Sequence, residues 1–180
     1  MKKSVIAILI GVVCAASLQV LAASQKSELK FTVPTGWVEE TRTSSMRVAQ
    51  YKLPKAAGDA EDASLVVYYF GQGQGGSTAA NVERWVGQIK QADGSAVKDA
   101  KQEQFETNGL KVTTVDVSGT YVAETAPGSG TFHNNAGYRL RAAVVETPNG
   151  NYFVKLVGPE KTVAQWNESF LNYLKSFQLK

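Results

Sequence analysis

The most constraining feature of this chain is a seven-residue run with almost no polar side chain. Residues Ser64–Phe70 read SLVVYYF, a nearly continuous series of aliphatic, β-branched and aromatic residues. Because successive side chains of a strand point to opposite faces, this run predicts a strand that is buried on both faces and central in its sheet. Helices must then cover both faces of that sheet.

Two amphipathic segments can supply those helices. The first runs from about Thr78 to Ala92, with apolar residues at helical spacing and Ser77 or Thr78 as N-cap. The second begins between Pro159 and Val163. It carries one apolar stripe, which comprises Val163, Trp166, Phe170, Tyr173, Leu174 and Phe177.

Strand-like runs separated by turn residues fill most of the remaining chain. They are Leu29–Val33, Trp37–Thr43, Ser45–Leu53, Lys101–Thr107, Leu110–Ala123, Tyr138–Thr147 and Asn151–Val157. The last four predict two hairpins, and Asn108-Gly109 is the strongest turn signal because both residues tolerate positive φ. Roughly six to seven mostly antiparallel strands and two main helices predict an α+β domain. The pattern offers no reason to expect Trp37 to be buried.

The first 23 residues have the pattern of a secretory signal peptide. A basic start at Lys2 and Lys3 precedes the apolar run Val5–Val13, and small residues follow at Ala22 and Ala23. We expect cleavage after Ala22 or Ala23, export to the periplasm or the extracellular space, and a single domain over residues 24–180. Two alternatives are an uncleaved anchor over residues 5–23 and a lipoprotein modified at Cys14, although Val13 is not the small residue that lipidation requires.

The charge balance changes once that segment is removed. The full chain has 19 basic and 16 acidic residues, and residues 1–23 contain two of the basic ones and none of the acidic ones. The mature chain is therefore expected to have a net charge of +1 and no cysteine. We expect it to bind no nucleic acid, because that function needs a basic patch or stripe, and to keep no stable membrane span after cleavage.

A glycine-rich loop lies between the central strand and the first helix. Gly71, Gly73 and Gly76 match G-x-G-x-x-G, but no second strand ends in the acidic residue that a dinucleotide site requires. Read as a P-loop, the segment has Ser77 where the phosphate-binding lysine belongs. We interpret it as a strand-to-helix connection whose glycines supply positive φ, and we expect no cofactor.

The other polar features lie in loops. His133 stands in the longest loop, Glu124–Gly137, where it could act as a general base for a hydrolase, although exposure to solvent is the simpler interpretation. Asp59, Glu61 and Asp62 crowd another loop without the EF-hand pattern, so we predict no metal site.

Several segments together resemble the Mog/PsbP-like superfamily. They are the Phe-x-Val-Pro-x-Gly-Trp segment of residues 31–37, the block Ser45–Pro54, the segment Tyr69–Trp85, and Gly158-Pro159 leading into the stripe that ends at Phe177. The resemblance covers most of the mature chain. It implies an α/β/α sandwich with a central antiparallel sheet, and binding or assembly roles without catalytic residues to transfer.

These observations favour an exported, non-catalytic binding or assembly module that acts on a protein or cell-envelope partner. The alternative is a small-molecule-binding periplasmic protein in which loops Gly71–Gly76 and Glu124–Gly137 form the rims of the site. The candidate residues for a ligand or partner, drawn from these two loops, are Gln72, Gln74, Gly75, Phe132, His133 and Asn134. The sequence assigns no oligomeric state.

Overall fold

The computed structural model describes residues 29–180 of the chain. The predicted signal peptide therefore lies outside the described residues. The strands are β1 Leu29–Lys30, β2 Val38–Glu39, β3 Arg47–Leu53, β4 Ala63–Tyr69, β5 Ile89–Lys90, β6 Lys101–Thr107, β7 Leu110–Tyr121, β8 Asn135–Glu146, β9 Tyr152–Pro159 and β10 Gln178–Leu179. The helices are α1 Thr78–Gly87, α2 Glu160–Gln165 and α3 Asn167–Lys175.

One antiparallel sheet organises the described chain. Its strands follow the order β2-β3-β4-β9-β8-β7-β5, and β6 pairs with β7 beside β5, which gives eight strands. The run Ser64–Phe70 is confirmed as a central strand, because β4 pairs with β3 on one side and with β9 on the other. The sheet has eight strands rather than the predicted six to seven because residues 89–90, which were predicted as helix, join one edge as β5.

Both faces of the sheet carry a buried core, as that central strand required. Leu65 and Val67 of β4 pack on the face that α2 and α3 cover, together with Val163, Phe170 and Tyr173. On the opposite face, α1 packs against β7 and β8. The α+β architecture with helices on both faces of an antiparallel sheet is confirmed.

The first predicted hairpin has the turn that its sequence favours. Asn108 has φ 49° and Gly109 has φ 75°, so both turn residues are in the left-handed region. The register is regular from Thr107 opposite Leu110 to Lys101 opposite Asp116. In the second hairpin β8 begins at Asn135, three residues before the predicted start, so the loop that precedes it is shorter than predicted.

The helices differ from the prediction in length. Helix α1 ends at Gly87, and Ile89–Lys90 pairs with Thr120 and Tyr121 as β5. Ile89 is completely buried there, so the sheet edge offers its side chain more burial than another helical turn would. The C-terminal helix is divided at Trp166, whose backbone has ψ 8° and whose indole nitrogen donates to the Pro54 carbonyl.

The two ends of the described chain meet in a separate two-stranded sheet. Leu29 of β1 pairs with Leu179 of β10, so the predicted strand Leu29–Val33 is only two residues long. Trp37 follows this segment and is buried. Its ring centre lies 4.9 Å from that of Tyr173 on α3. Among the described residues, no helix has the length and apolar character that crossing a membrane requires.

Candidate functional site

An open groove of about 1180 Å³ lies beside α1 on the face of the sheet that this helix only partly covers. We call it the Lys155 groove. Side chains from four strands form its floor, and these are Ser64, Val66, Tyr68, Tyr121, Tyr138, Lys155 and Val157. Its walls come from the last turn of α1, from residues 43–47, from residues 61–62, and from the loop between β7 and β8.

Lys155 is the charged group at the floor of this groove. Its Nζ donates hydrogen bonds to Gln88 Oε1 at 2.7 Å and to the Tyr121 hydroxyl at 2.9 Å. Burial, and to a smaller extent the nearby positive charge of Arg84, lowers the Lys155 pKa from 10.5 to about 8. The ammonium of this half-buried side chain is thus held in place by two neutral groups.

The cations of the groove have amide partners rather than carboxylate partners. Arg84 donates to the Asn81 side chain, and Arg47 donates to Gln50 Oε1 at 2.6 Å. The described salt bridges involve none of Arg47, Arg84 and Lys155, because they join Glu40, Glu103 and Asp116 to other basic residues. Within residues 29–180, none of these three basic side chains forms a salt bridge.

The carboxylates that line the groove are already engaged. Glu61 accepts a hydrogen bond from the Tyr138 hydroxyl, and Asp62 accepts one from the Lys55 backbone N–H at 2.9 Å. Glu124 accepts one from the Gly128 backbone N–H, also at 2.9 Å. These acids hold loops in place, and the groove as a whole is lined by three acidic and three basic side chains, none of which is joined in a described salt bridge.

Aromatic rings form much of the remaining surface. The rings of Tyr121 and Tyr138 are nearly parallel at 6.1 Å, and the His133 ring lies 5.1 Å from that of Tyr121. Burial raises the pKa of Tyr121 to about 12, so its hydroxyl stays protonated over the physiological range. At the rim, Phe132 is 62% exposed and Met46 is 48% exposed.

The structure brings only part of the sequence-predicted site together. Phe132 and His133 line the Lys155 groove, and Asn134 is exposed in the same loop. The glycine-rich loop is at the other end of the sheet. It follows the end of β4 that pairs with Tyr152 at the start of β9, whereas Tyr138, near the start of β8, lies opposite Pro159 at the end of β9. The two loops therefore do not form the rims of one site, and Gln72, Gln74 and Gly75 do not line the groove.

The glycine-rich loop packs against the turn between β8 and β9. Gln72 Nε2 donates to the Pro148 carbonyl at 3.3 Å, and the Gly71 carbonyl lies close to Gly150. Gly75 has φ 85°, and its backbone approaches the rings of Phe153 and Phe70. These contacts show a structural connection between strand and helix; a ligand role for Gln72, Gln74 and Gly75 stays a prediction.

The acidic loop before β4 is engaged in contacts within the chain. Asp59 Oδ2 accepts from both the backbone N–H and the hydroxyl of Thr162, at 2.9 Å and 2.6 Å, which ties this loop to α2. Across residues 29–180, no three His, Cys, Asp or Glu side chains are grouped as a metal site would need.

The sequence reasoning missed Lys155, although a signal was present. Strand β9 reads YFVKLVGP, in which Lys155 is the single charged residue of an apolar run. A lysine there must either be paired or face a cavity, because a buried ammonium without partners is costly. The other missed groups, Gln88 and Tyr121, gain their roles only from their distance to Lys155.

We expect Lys155→Met to raise the free energy of unfolding at pH 7 by about 1–2 kcal/mol. A pKa displaced from 10.5 to about 8 corresponds to about 3 kcal/mol of cost for the buried charge. The polar groups of Gln88 and Tyr121, left without the lysine, offset about 1–2 kcal/mol of that gain. Denaturant titration of both proteins measures the difference.

The control for this prediction is the pH dependence of the difference in unfolding free energy between the two proteins. Below pH 8 the lysine is charged in the folded and the unfolded state, and the cost is fully present. Between about pH 8 and 10.5 only the unfolded state keeps the proton, so the stability of the natural protein rises relative to Lys155→Met. Between pH 7 and pH 10 the natural protein should gain about 2.5 kcal/mol relative to Lys155→Met, so the difference in stability closes and changes sign. A difference that stays constant between the two pH values contradicts the assignment.

No protein-family model matches the sequence, and the search of curated proteins gives no match. Solved structures do match. LpqN of Mycobacterium tuberculosis, described as involved in cell envelope biogenesis, has a TM-score of 0.54 at 8% identity and covers 88% of this chain and 87% of its own.

Two further structures are similar over most of their length. The cyanobacterial PsbP (CyanoP) of Synechocystis sp. PCC 6803 has a TM-score of 0.48 at 11% identity, covering 91% of this chain and 99% of its own. A protein of unknown function from Pseudomonas aeruginosa has a TM-score of 0.46 at 13% identity, covering 86% and 85%. The chain shares its overall α+β fold with LpqN, and the sequence resemblance predicted an α+β fold with a central antiparallel sheet. At these identities the likeness concerns the fold alone.

Proposed function

We propose that this protein is an exported, non-catalytic binding module that holds a protein partner of the cell envelope in the Lys155 groove. The observation that carries the proposal is the groove itself, in which a lysine without a counterion lies under exposed apolar rim residues. Concave, largely apolar sites with a few converging polar groups are the usual places where proteins bind ligands.

The composition of the groove favours a protein partner over a small molecule. Tyrosine, phenylalanine, methionine and arginine are the residues enriched in the centres of protein interfaces, and all four line this groove. Its volume of about 1180 Å³ also exceeds the usual range for small-molecule sites, which is about 300–1000 Å³. The small-molecule alternative needs both loops at one site, but the glycine-rich loop lies at the other end of the sheet.

A binding role also suits the state of the polar groups in the groove. His133, the candidate base, packs its ring against Tyr121, and the acids hold loops together. Export rests on the signal-peptide pattern of residues 1–23. The involvement of LpqN in cell envelope biogenesis agrees with this proposal, although the likeness to that protein concerns the fold.

Site-specific photo-crosslinking in cells that express the full chain tests the proposal. A benzophenone amino acid is placed at Phe132 and, separately, at Met46, both exposed at the rim of the groove. We expect both positions to give an adduct with the same protein. Gln104, exposed on β6, is the control position and should give none.

Two outcomes would contradict the proposed function. One is the same adduct pattern from Gln104 as from the groove positions, and the other is the absence of an adduct from Phe132 and Met46. The intact mass of the exported chain is measured on the same samples. It should correspond to a protein that begins at Ala23 or Ser24, and a mass that includes Met1 would contradict cleavage.

A further inference from the structure

We infer that the Lys155 groove recognises an acidic peptide segment of its protein partner, with one carboxylate bound by the Lys155 ammonium and the Tyr121 hydroxyl. The inference rests on the proposed function and adds to it the chemistry of the ligand and the two groups that select it. It follows from donors, charges and rim residues that the structure places together.

The first argument is that two hydrogen-bond donors are left over at the floor. An ammonium has three N–H groups, and Lys155 uses two of them on Gln88 and Tyr121. The Tyr121 oxygen accepts from Lys155, so its own O–H remains to donate. The two donor atoms are 2.9 Å apart, which lets the two oxygens of one carboxylate meet both of them.

The second argument is charge. The groove is lined by three basic and three acidic side chains, but among residues 29–180 Lys155, Arg84 and Arg47 form no salt bridge with any acid. An ammonium removed from water without a counterion is costly. A carboxylate from a partner would supply that counterion, while a neutral or cationic group would leave the cost in place.

The third argument concerns what flanks the carboxylate. Phe132 and Met46 rise at the rim with large exposed fractions, and Tyr68 and Tyr138 lie at the floor beside Lys155. A segment with apolar side chains on either side of its acidic residue would cover these surfaces. A free acid would fill only the immediate surroundings of Lys155, which is why we assign a peptide.

The test uses two peptides that differ in one group. Acetyl-Gly-Phe-Glu-Phe-Gly-amide carries the carboxylate, and the peptide with glutamine at the central position is isosteric and neutral. Binding to the exported form of the full chain is followed by amide chemical shifts. We expect the Glu peptide to bind about tenfold more tightly than the Gln peptide, with shifts centred on Lys155, Tyr121 and Gln88.

Three variants establish which groups select the carboxylate. Lys155→Met should abolish the difference between the two peptides, and Tyr121→Phe, which removes only a hydroxyl, should reduce it. Lys101→Met is the matched control, because Lys101 is exposed on β6 and paired with Glu103, and it should leave the difference unchanged.

Each contrary result overturns the inference in a recognisable way. Equal affinity for both peptides, binding of neither, or a difference that survives Lys155→Met contradicts the carboxylate site. If N-acetylglutamate binds as tightly as the Glu peptide, the ligand is a small acid and the peptide assignment is wrong. If both peptides cause the same chemical-shift changes in the groove, the inference is wrong but the proposed function still stands. The proposed function is contradicted by the crosslinking outcomes described above.

Discussion

Phe170→Ala is expected to lower the free energy of unfolding by about 3–5 kcal/mol. Phe170 lies on α3, is completely buried, and packs in the core between the helices α2 and α3 and the sheet. Its removal leaves a cavity that the fully buried neighbours Tyr173 and Val163 cannot easily fill. The Arg141 guanidinium, 5.0 Å from the ring centre, also loses its aromatic contact.

Phe132→Ala is the matched control for this measurement. It removes the same side chain from a rim position that is 62% exposed, so the change should remain within about 0.5 kcal/mol. Denaturant unfolding of the three proteins gives the comparison. If Phe170→Ala costs no more than Phe132→Ala, the packing of α3 on the sheet is wrong.

The same titrations test our proposal that the mature chain is a single domain. Trp85 lies in the core on the α1 face, and Trp37 lies in the core on the α3 face. In one cooperative domain, Phe170→Ala must shift the unfolding midpoint reported by both tryptophans equally. Versions of the natural protein and of Phe170→Ala that keep only Trp37 or only Trp85 give one signal from each face of the sheet. A shift of the unfolding midpoint that is seen only with Trp37 would contradict the proposal.

Gly75→Ala is expected to lower the free energy of unfolding by about 2–4 kcal/mol. Gly75 has φ 85°, and a β-carbon there would lie 2.5 Å from Phe153 Cε2 and 2.9 Å from Phe70 Cδ2. Phe153 is almost completely buried and cannot yield. The cost therefore combines backbone strain with overlap against the core.

Gly73→Ala separates those two contributions. Gly73 has φ 71°, and nothing lies within 4 Å of the position that its β-carbon would take. This variant should cost about 1–2 kcal/mol from the backbone alone. Thermal or denaturant unfolding measures both, and equal losses for the two variants would show that the contact with Phe153 has no energetic effect.

The two glycines also bear on what the glycine-rich loop does. The loop connects β4 to α1, and Ser77 caps the helix by accepting a hydrogen bond from the Ala80 N–H at 3.2 Å. Asn81 Nδ2 donates to the Gly75 and Ser77 carbonyls at 2.8 Å and 2.9 Å. These contacts give Gly75, Ser77 and Asn81 structural roles, which agrees with the interpretation of the loop as a connection between a strand and a helix.

At Lys155, in contrast to these glycines, stability and the proposed function favour different side chains. Its charge is expected to destabilise the fold at pH 7, and in the proposed function the same charge receives the partner's carboxylate. Residues that reduce stability while serving a binding site are a common feature of proteins. The pH-dependent unfolding of Lys155→Met measures the first property, and the peptide comparison measures the second.

Local patterns in the sequence were sufficient for most of the architecture. The strand composition of residues 45–53, the apolar run of β4 and the Asn108-Gly109 turn each depend on residues that are close in the chain, and the structure confirms them. The exceptions have long-range causes. Ile89 and Trp166 have residue types compatible with a helix, but long-range burial and the bond from Trp166 to Pro54 override that propensity.

The candidate site was only half predictable. Phe132 and His133 were expected from their loop, and they line the groove. Lys155 was not expected, because its importance comes from Gln88, which is 67 residues away, and from Tyr121, which is 34 residues away. The small-molecule alternative took the loops Gly71–Gly76 and Glu124–Gly137 as two rims of one site, but the strand register places them at opposite ends of the sheet.

By itself, the sequence determined the class of fold, because a strand without a polar side requires cover on both faces and two apolar stripes are available to provide it. It also determined the near neutrality expected of the mature chain, since charge depends only on composition and on the cleavage point. Only the tertiary structure decided where the site lies. A binding site consists of groups that are distant in sequence, and their meeting at Lys155 depends on strand order and register, which no local pattern contains.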